Sequence, residues 1–253
     1  MDEAVEVIRA EALSGIPHGF LGRRGGVSTG VVAGLNIGHG AEDDAGAVAE
    51  NRRRAVEAVM PGARLATVYQ VHSPDVAEVT EPWPHEARPR ADGMVTRRPG
   101  LLLGVVTADC APVLMADRAA GVIGAAHAGW RGAQGGVLEN TVAAMERLGA
   151  ERARIAAAIG PAIARPSYEV DAKFRTRFGP EDERYFAAGR PGHWQFDLSG
   201  YIAGRLRAAG IGAVEPLGLD TYPDAERFFS YRRATHRGEP AYGRQFSLVG
   251  LPE

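Results

Sequence analysis

The chain has 253 residues, enough for one large domain or two small ones with a sizeable core, and its 45% hydrophobic and 24% charged content is that of a folded globular protein. A net charge of -2 gives no ground for a nucleic-acid footprint, which needs Lys and Arg clustered in excess on one face. Lys173 is the only lysine, so unless it serves, a lysine Schiff base and a Gly-Lys-Ser/Thr phosphate loop are both excluded.

Taken in chain order, the amino terminus carries Asp2, Glu3 and Glu6 where a secretion signal would carry base, and no apolar run approaches the length of a membrane span. Together with a single cysteine, Cys110, this predicts a cytoplasmic chain. Strands are expected over Val5 to Ile8, Ala66 to His72, Val76 to Thr80, Leu101 to Thr107, Pro112 to Ala116 and Val122 to His127, then over Ile155 to Ile159, Val214 to Leu219 and Gln245 to Val249. Amphipathic helices are expected over Asp44 to Met60, Gln134 to Leu148 and Asp197 to Ala209, with Asn51 to Arg54 largely facing solvent on the first of them. Asp197 reads as an N-cap and Gly210 as a stop. Glu81 to Arg90 reads as a surface loop and Arg177 to Pro191 as a second irregular region. Strands and helices interleave without a strict rhythm, which predicts one α/β (α+β) domain over residues 1–253, with mixed sheets rather than a doubly wound parallel one.

Three of these runs end in residues that ligate metals or carry acyl chemistry. Ala66 to Val71 ends in His72, Leu101 to Val106 leads into Thr107-Ala108-Asp109-Cys110, and Val122 to Ala126 ends in His127. Thiolate and imidazole suit zinc or copper, and three protein ligands with an open fourth position is the catalytic zinc pattern. The spacings of 38 and 17 residues match no compact ligand motif, so a small core cysteine with satisfied or exposed histidines stays open beside the metal or nucleophile reading. Asp109 closes an apolar strand with a charge, which needs a partner or a functional edge. Arg131, at a helix start after His127, and Arg23, in the glycine-rich Gly22 to Gly30, are candidate phosphate or oxyanion seats; for the Arg23 segment a surface turn with solvated arginines is the alternative. Asn36 is a turn amide or a substrate contact. Phe228 to Arg233 reads as aromatic core plus a basic pair, and His18, His39, His85, His193 and His236 have no assigned partner.

The stretches Arg23 to Ser28, Leu35 to Gly38, Gln70-Val71-His72, Ala91-Asp92-Gly93, Thr107 to Leu114, Ala126 to Gly132, Ile159 to Ile163 and Phe229 to Arg233 together resemble the YfiH-like family, in family order. Its members are also described as laccase-domain or multicopper polyphenol oxidases and as purine nucleoside phosphorylases. The resemblance implies a four-layer α/β/β/α sandwich, a metal triad on His72, Cys110 and His127 holding Zn2+ or Cu2+, and phosphate-dependent cleavage of adenosine, inosine and methylthioadenosine with adenosine deamination alongside. It implies small-molecule partners, purine nucleosides and phosphate, for a monomer or small homo-oligomer. Within it, Arg23 and Arg131 would seat phosphate, Asn36 would touch sugar or phosphate, and His72, His127 and Cys110 would border sugar and base. Asp220 stands before Thr221-Tyr222 where many relatives carry a further cysteine, and His-x-His occurs nowhere; both weigh against a multicopper cluster. A metal-free cysteine hydrolase or amidase, including editing of peptidoglycan precursors, and copper-dependent phenol oxidation are the alternatives.

Overall fold

Apolar runs with little alternation, such as Leu101–Thr107, need cover on both faces, and the computed structural model, which describes residues 4–40 and 42–253, supplies it. Its strands are β1 Val7–Ile8, β2 His18–Leu21, β3 Arg64–Ala66, β4 Val76–Glu78, β5 Gly93–Thr96, β6 Leu101–Thr107, β7 Ala111–Asp117, β8 Val122–Ala128, β9 Ala156–Ile159, β10 Glu169–Asp171, β11 Phe186–Ala188, β12 His193–Phe196, β13 Ala213–Pro216 and β14 Gln245–Gly250. The helices are α1 Ala45–Val59, α2 Trp130–Gly135, α3 Val137–Arg147, α4 Ala172–Arg175, α5 Leu198–Ala208 and α6 Tyr231–Arg237.

Two mixed sheets form the middle of the stack: β1-β2-β14-β6-β3, and β13-β9-β7-β8-β5-β4. Side chains alternate between two cores. Leu101, Leu103 and Val105 of β6 meet Leu114, Ala116, Ile123 and Ala125 between the sheets, while Leu102, Phe246 and Leu248 point outward to Ala55 and Val59 of α1. On the far side Val113, Met115 and Val122 pack under Val137, Leu138 and Met145 of α3 and Ile202 and Leu206 of α5. Helix, sheet, sheet, helix is the four-layer α/β/β/α sandwich. A smaller antiparallel sheet, β10-β12-β11, carries an aromatic cluster of Phe174, Phe178, Phe186 and Phe196.

Several local expectations change. The expected strand Ala66 to His72 ends at Ala66, because from there the Gln70 side-chain amide replaces backbone pairing: it donates to the Val106 carbonyl at 2.7 Å and accepts the Val106 N–H at 2.8 Å. The expected helix Gln134 to Leu148 is two helices, broken where Gly136 takes φ +101°. Asn51, expected to face solvent, is fully buried; it accepts the Val27 N–H and donates to Ser28 Oγ and to the carbonyls of Gly34 and Asn36. It thereby ties α1 to the loop after β2. Part of the irregular region Arg177 to Pro191 is strand β11, and Phe228 to Arg233 leads into α6, capped by Ser230 Oγ accepting from the Arg233 N–H. β2, β5, β10 and β12 lie in stretches without a readable strand signal; β2 and β5 are buried at every position, so no alternation marks them. Among the described residues no helix is long and apolar enough to cross a membrane.

Candidate active site

The crossover from β6 in one sheet to β7 in the other is only Ala108-Asp109-Cys110, and Asp109 makes the turn at φ +81°. A non-glycine residue there costs about 1–3 kcal/mol and persists only when its surroundings over-determine it. Here they do: the buried Asp109 carboxylate accepts from Thr221 Oγ1 at 2.7 Å, Ser230 Oγ at 3.0 Å and the Arg232 N–H at 2.6 Å. Burial pushes its pKa up while those donors pull the other way. The charge at the strand end is thus partnered, and it pins the Cys110 turn to the start of α6.

His72 is the second strained residue, at φ +61°. The N–H groups on either side of it, Val71 and Ser73, both donate to Asp92 Oδ2, at 3.0 and 2.7 Å. The other oxygen of the same carboxylate lies 2.8 Å from His127 Nδ1, and the Asp92 carbonyl accepts the His127 N–H at 2.7 Å. One fully buried aspartate therefore orients both histidines, one through its backbone and one through its ring. Its own pKa falls to about 2, because the His127 and amide donors outweigh the opposing cost of burial.

Held this way, one ligand atom each of His72, Cys110 and His127 lie within 4.8 Å of one another; Cys110 Sγ is 3.8 Å from His72 Nε2, and the two imidazole centroids are 4.7 Å apart. His127 is buried, Cys110 half-buried and His72 exposed, so the group opens to one side. Burial alone would raise the thiol and lower the imidazole, but their mutual attraction and the Asp92 bond reverse both shifts: Cys110 is pulled well below an ordinary thiol and His127 is pushed up. The donor set fits a divalent metal. About 2.0–2.1 Å to nitrogen and about 2.3 Å to sulfur place tetrahedral ligands roughly 3.3–3.6 Å apart, within reach of small side-chain rotations here. Asp92 on His127 Nδ1 is the outer carboxylate such a ligand uses, leaving Nε2 for the ion. Gly129 keeps the space clear: a Cβ there would sit 2.8 Å from Cys110 Sγ and 3.0 Å from His72 Cδ2.

The group opens into a cavity of about 710 Å³, which Tyr69, Tyr231, Tyr242, Arg52, Arg88 and Arg244 also line. That size is within the range of small-molecule sites. Neither Arg23 nor Asn36 nor Arg131 lines it. The Arg23 guanidinium donates to the carbonyls of Ala33 and Ala225 and lies over the Phe229 ring. Asn36 is fully buried, donating to Asp43 and accepting from the N–H groups of Gly38 and Arg244. Arg131 is exposed on α2, over Trp130. Asp220 closes a turn, accepting from Ala164 N–H, Tyr222 N–H and Ser167 Oγ. Sequence reasoning missed the orienting role of Asp92 and the lining roles of Arg52, His39, His85, Arg88 and Arg244. Asp92, following a strand-less Pro-rich loop and preceding an apolar run, carried the same buried-charge signal as Asp109.

A thiolate and two imidazoles, oriented by one carboxylate at a crossover between the sheets of a four-layer sandwich, define the class: an α/β/β/α enzyme with a His/Cys/His centre at the floor of a small-molecule cavity. The chain belongs to the multi-copper polyphenol oxidoreductase laccase family, whose family model matches residues 17–252. It is 40% identical over 248 residues to a purine nucleoside phosphorylase of Deinococcus radiodurans, covering 97% of this chain and 93% of that one. It is 39% identical over 232 residues to a purine nucleoside phosphorylase of Streptomyces coelicolor, covering 91% and 96%. Among solved structures it is similar to YlmD from Geobacillus stearothermophilus, with a TM-score of 0.88 at 32% identity over 99% of this chain and 97% of that one. A Neisseria meningitidis protein of the DUF152 family matches with a TM-score of 0.86 at 34% identity over the whole of both chains.

Proposed function

We propose that the protein is a purine nucleoside phosphorylase that cleaves adenosine, inosine and S-methyl-5′-thioadenosine with phosphate, and deaminates adenosine at the same centre. The observation that carries the reading is the convergence of His72, Cys110 and His127 on the floor of a cavity able to hold a nucleoside and an anion, in a chain alike over nearly its whole length to proteins named for that activity. In the reaction a phosphate oxygen attacks C1′ as the C1′–N9 bond breaks. The bonding pair leaves with the purine, which takes up a proton, and the sugar becomes its 1-phosphate. Catalysis requires the nucleophile held in line and the leaving base neutralised. With no ion on it, His72, exposed on the cavity wall, supplies the proton to the departing base, whereas an ion bound to that imidazole would take the proton's place in neutralising the base; His127, oriented by Asp92, and Cys110 fix the sugar beside it. A zinc ion, or copper in its place, held by His72, Cys110 and His127 would add Lewis-acid charge at this point. Arg23 and Asn36 act by holding the loop at residues 23–38 rather than by touching substrate.

Incubating the protein with each nucleoside with and without phosphate tests the reading. Free base and sugar 1-phosphate should form only with phosphate, and inosine should accumulate from adenosine; no base from any of the three nucleosides would overturn it. One feature favours a second reading, cysteine hydrolysis: Cys110, His127 and Asp92 are ordered as nucleophile, base and orienting acid. Turnover that survives complete metal removal but not alkylation of Cys110 would favour it.

A further inference from the structure

Arg52, Arg88 and Arg244 reach the cavity from three separate parts of the chain: α1, the Pro-rich loop before β5, and the segment leading into β14. None of the three forms an ion pair with a carboxylate among the described residues, as twelve of the other twenty-five arginines do. Each is oriented by neutral acceptors instead. Arg52 donates to the Ile37 carbonyl and Thr67 Oγ1 and stacks on Phe246. Arg88 donates to the His85 carbonyl and contacts His85 Nε2, and Arg244 donates to the His39 carbonyl and Tyr242 Oη. A guanidinium has five N–H donors, so about three on each remain unspent. Between them lie His39 and His85, ring to ring with centroids 4.2 Å apart and both lining the cavity. Glu86 lies within electrostatic reach of His85 and Arg88, and among the described residues it forms no ion pair with either.

Like charges gathered at a cavity wall without counter-charge raise the free energy of the empty protein, and the arrangement makes sense when an anion completes it. The cost is visible: burial holds Arg52 down to about 10, with Arg88 adding to the shift, and holds His39 down to about 4, with Arg52, His85 and Arg88 adding. We propose that Arg52, Arg88 and Arg244, with His39 and His85, form an anion subsite for a phosphoryl dianion in the cavity that ends at Cys110. The site stands on this geometry; naming its occupant as the attacking phosphate rests on the phosphorolysis reading above. The same chemistry also fits the phosphate of a purine nucleoside 5′-monophosphate.

The test is calorimetric titration of the intact protein with inorganic phosphate, adenosine 5′-monophosphate and adenosine in turn. The wild type is compared with Arg88→Gln/Arg244→Gln, both half-buried rim residues, and thermal unfolding verifies that the variant folds. Phosphate should bind the wild type at millimolar concentration or below and lose roughly tenfold or more in the variant, the loss expected for removing charged hydrogen bonds, while adenosine binding stays within about twofold. Monophosphate binding that competes with phosphate and falls in the variant shows that esters share the subsite; phosphate binding without it reserves the subsite for the free ion. Phosphate that fails to bind the wild type, or binds the variant equally well, overturns the inference. Phosphate binding lost in the variant but with no nucleoside cleaved would retain the subsite and refute phosphorolysis, whereas cleavage with an unchanged KM for phosphate in the variant would do the reverse.

Discussion

Asp92→Asn isolates the residue that holds both histidines. The substitution keeps the volume and two of three contacts: with its amide oxygen toward Val71 and Ser73, asparagine still accepts both N–H groups that bracket His72. Its NH2 group then faces His127 Nδ1, where wild type has a carboxylate oxygen at 2.8 Å. To accept that donor, His127 must carry its ring proton on Nε2, the nitrogen turned toward Cys110, which blocks both ion coordination and acceptance of a proton from the thiol. One charge-assisted hydrogen bond is lost, worth about 1.5–3 kcal/mol, or roughly 10–100-fold in affinity for zinc. The thiolate of Cys110 also loses the cation that holds its pKa down. A zinc competition titration against a chromophoric chelator, run beside base release from inosine, reads the two effects. Both should fall by that factor while thermal unfolding shows a native fold. Wild-type zinc affinity in Asp92→Asn would refute the claim that this carboxylate sets the tautomer of His127.

Other outcomes follow from neighbouring contacts. Gly129→Ala keeps an ordinary backbone conformation, φ -67° and ψ 164°, so its effect is steric alone: the new Cβ at 2.8 Å displaces Cys110 Sγ and should lower zinc affinity and turnover at least tenfold, with about 1–3 kcal/mol lost in denaturant unfolding. In chelator-treated protein, iodoacetamide should label Cys110 with a pH midpoint below the roughly 8.5 of a free thiol, because attraction to His127 and His72 outweighs burial; His127→Asn should move that midpoint upward, and an unshifted midpoint would contradict the pairing. Asn51→Ala strands the Val27 N–H and the Asn36 carbonyl in the interior, while the Gly34 carbonyl keeps the Ser28 N–H; this should cost about 2 kcal/mol or more, or roughly 4–8 °C in Tm, and a change under a degree would mean that the loop is held by something else.

The amphipathic stripes of α1 and α5, the cap at Asp197 and the long apolar runs that became β6, β7 and β8 were legible because hydrophobic period and capping chemistry are local properties. So was the chemical potential of His72, Cys110 and His127, and the charge at Asp109 that needed a partner. Local pattern failed where a distant group decided the conformation. Gln70 substitutes its side chain for strand pairing along β6, and Asn51 is buried because the loop after β2 folds over it.

The division is physical. Hydrophobic periodicity and residue chemistry belong to the chain itself, so they marked a mixed α and β chain and the three reactive side chains, while the four-layer order was implied only by the family resemblance. The meeting of those side chains depends on two sheets stacked so that their crossover delivers Cys110 beside His127, and on Asp92 reaching across both to orient the imidazoles. Which arginines face the cavity likewise follows from the burial of Arg23 against carbonyls and the convergence of Arg52, Arg88 and Arg244 from segments far apart in sequence, and only the packed tertiary structure brings those together.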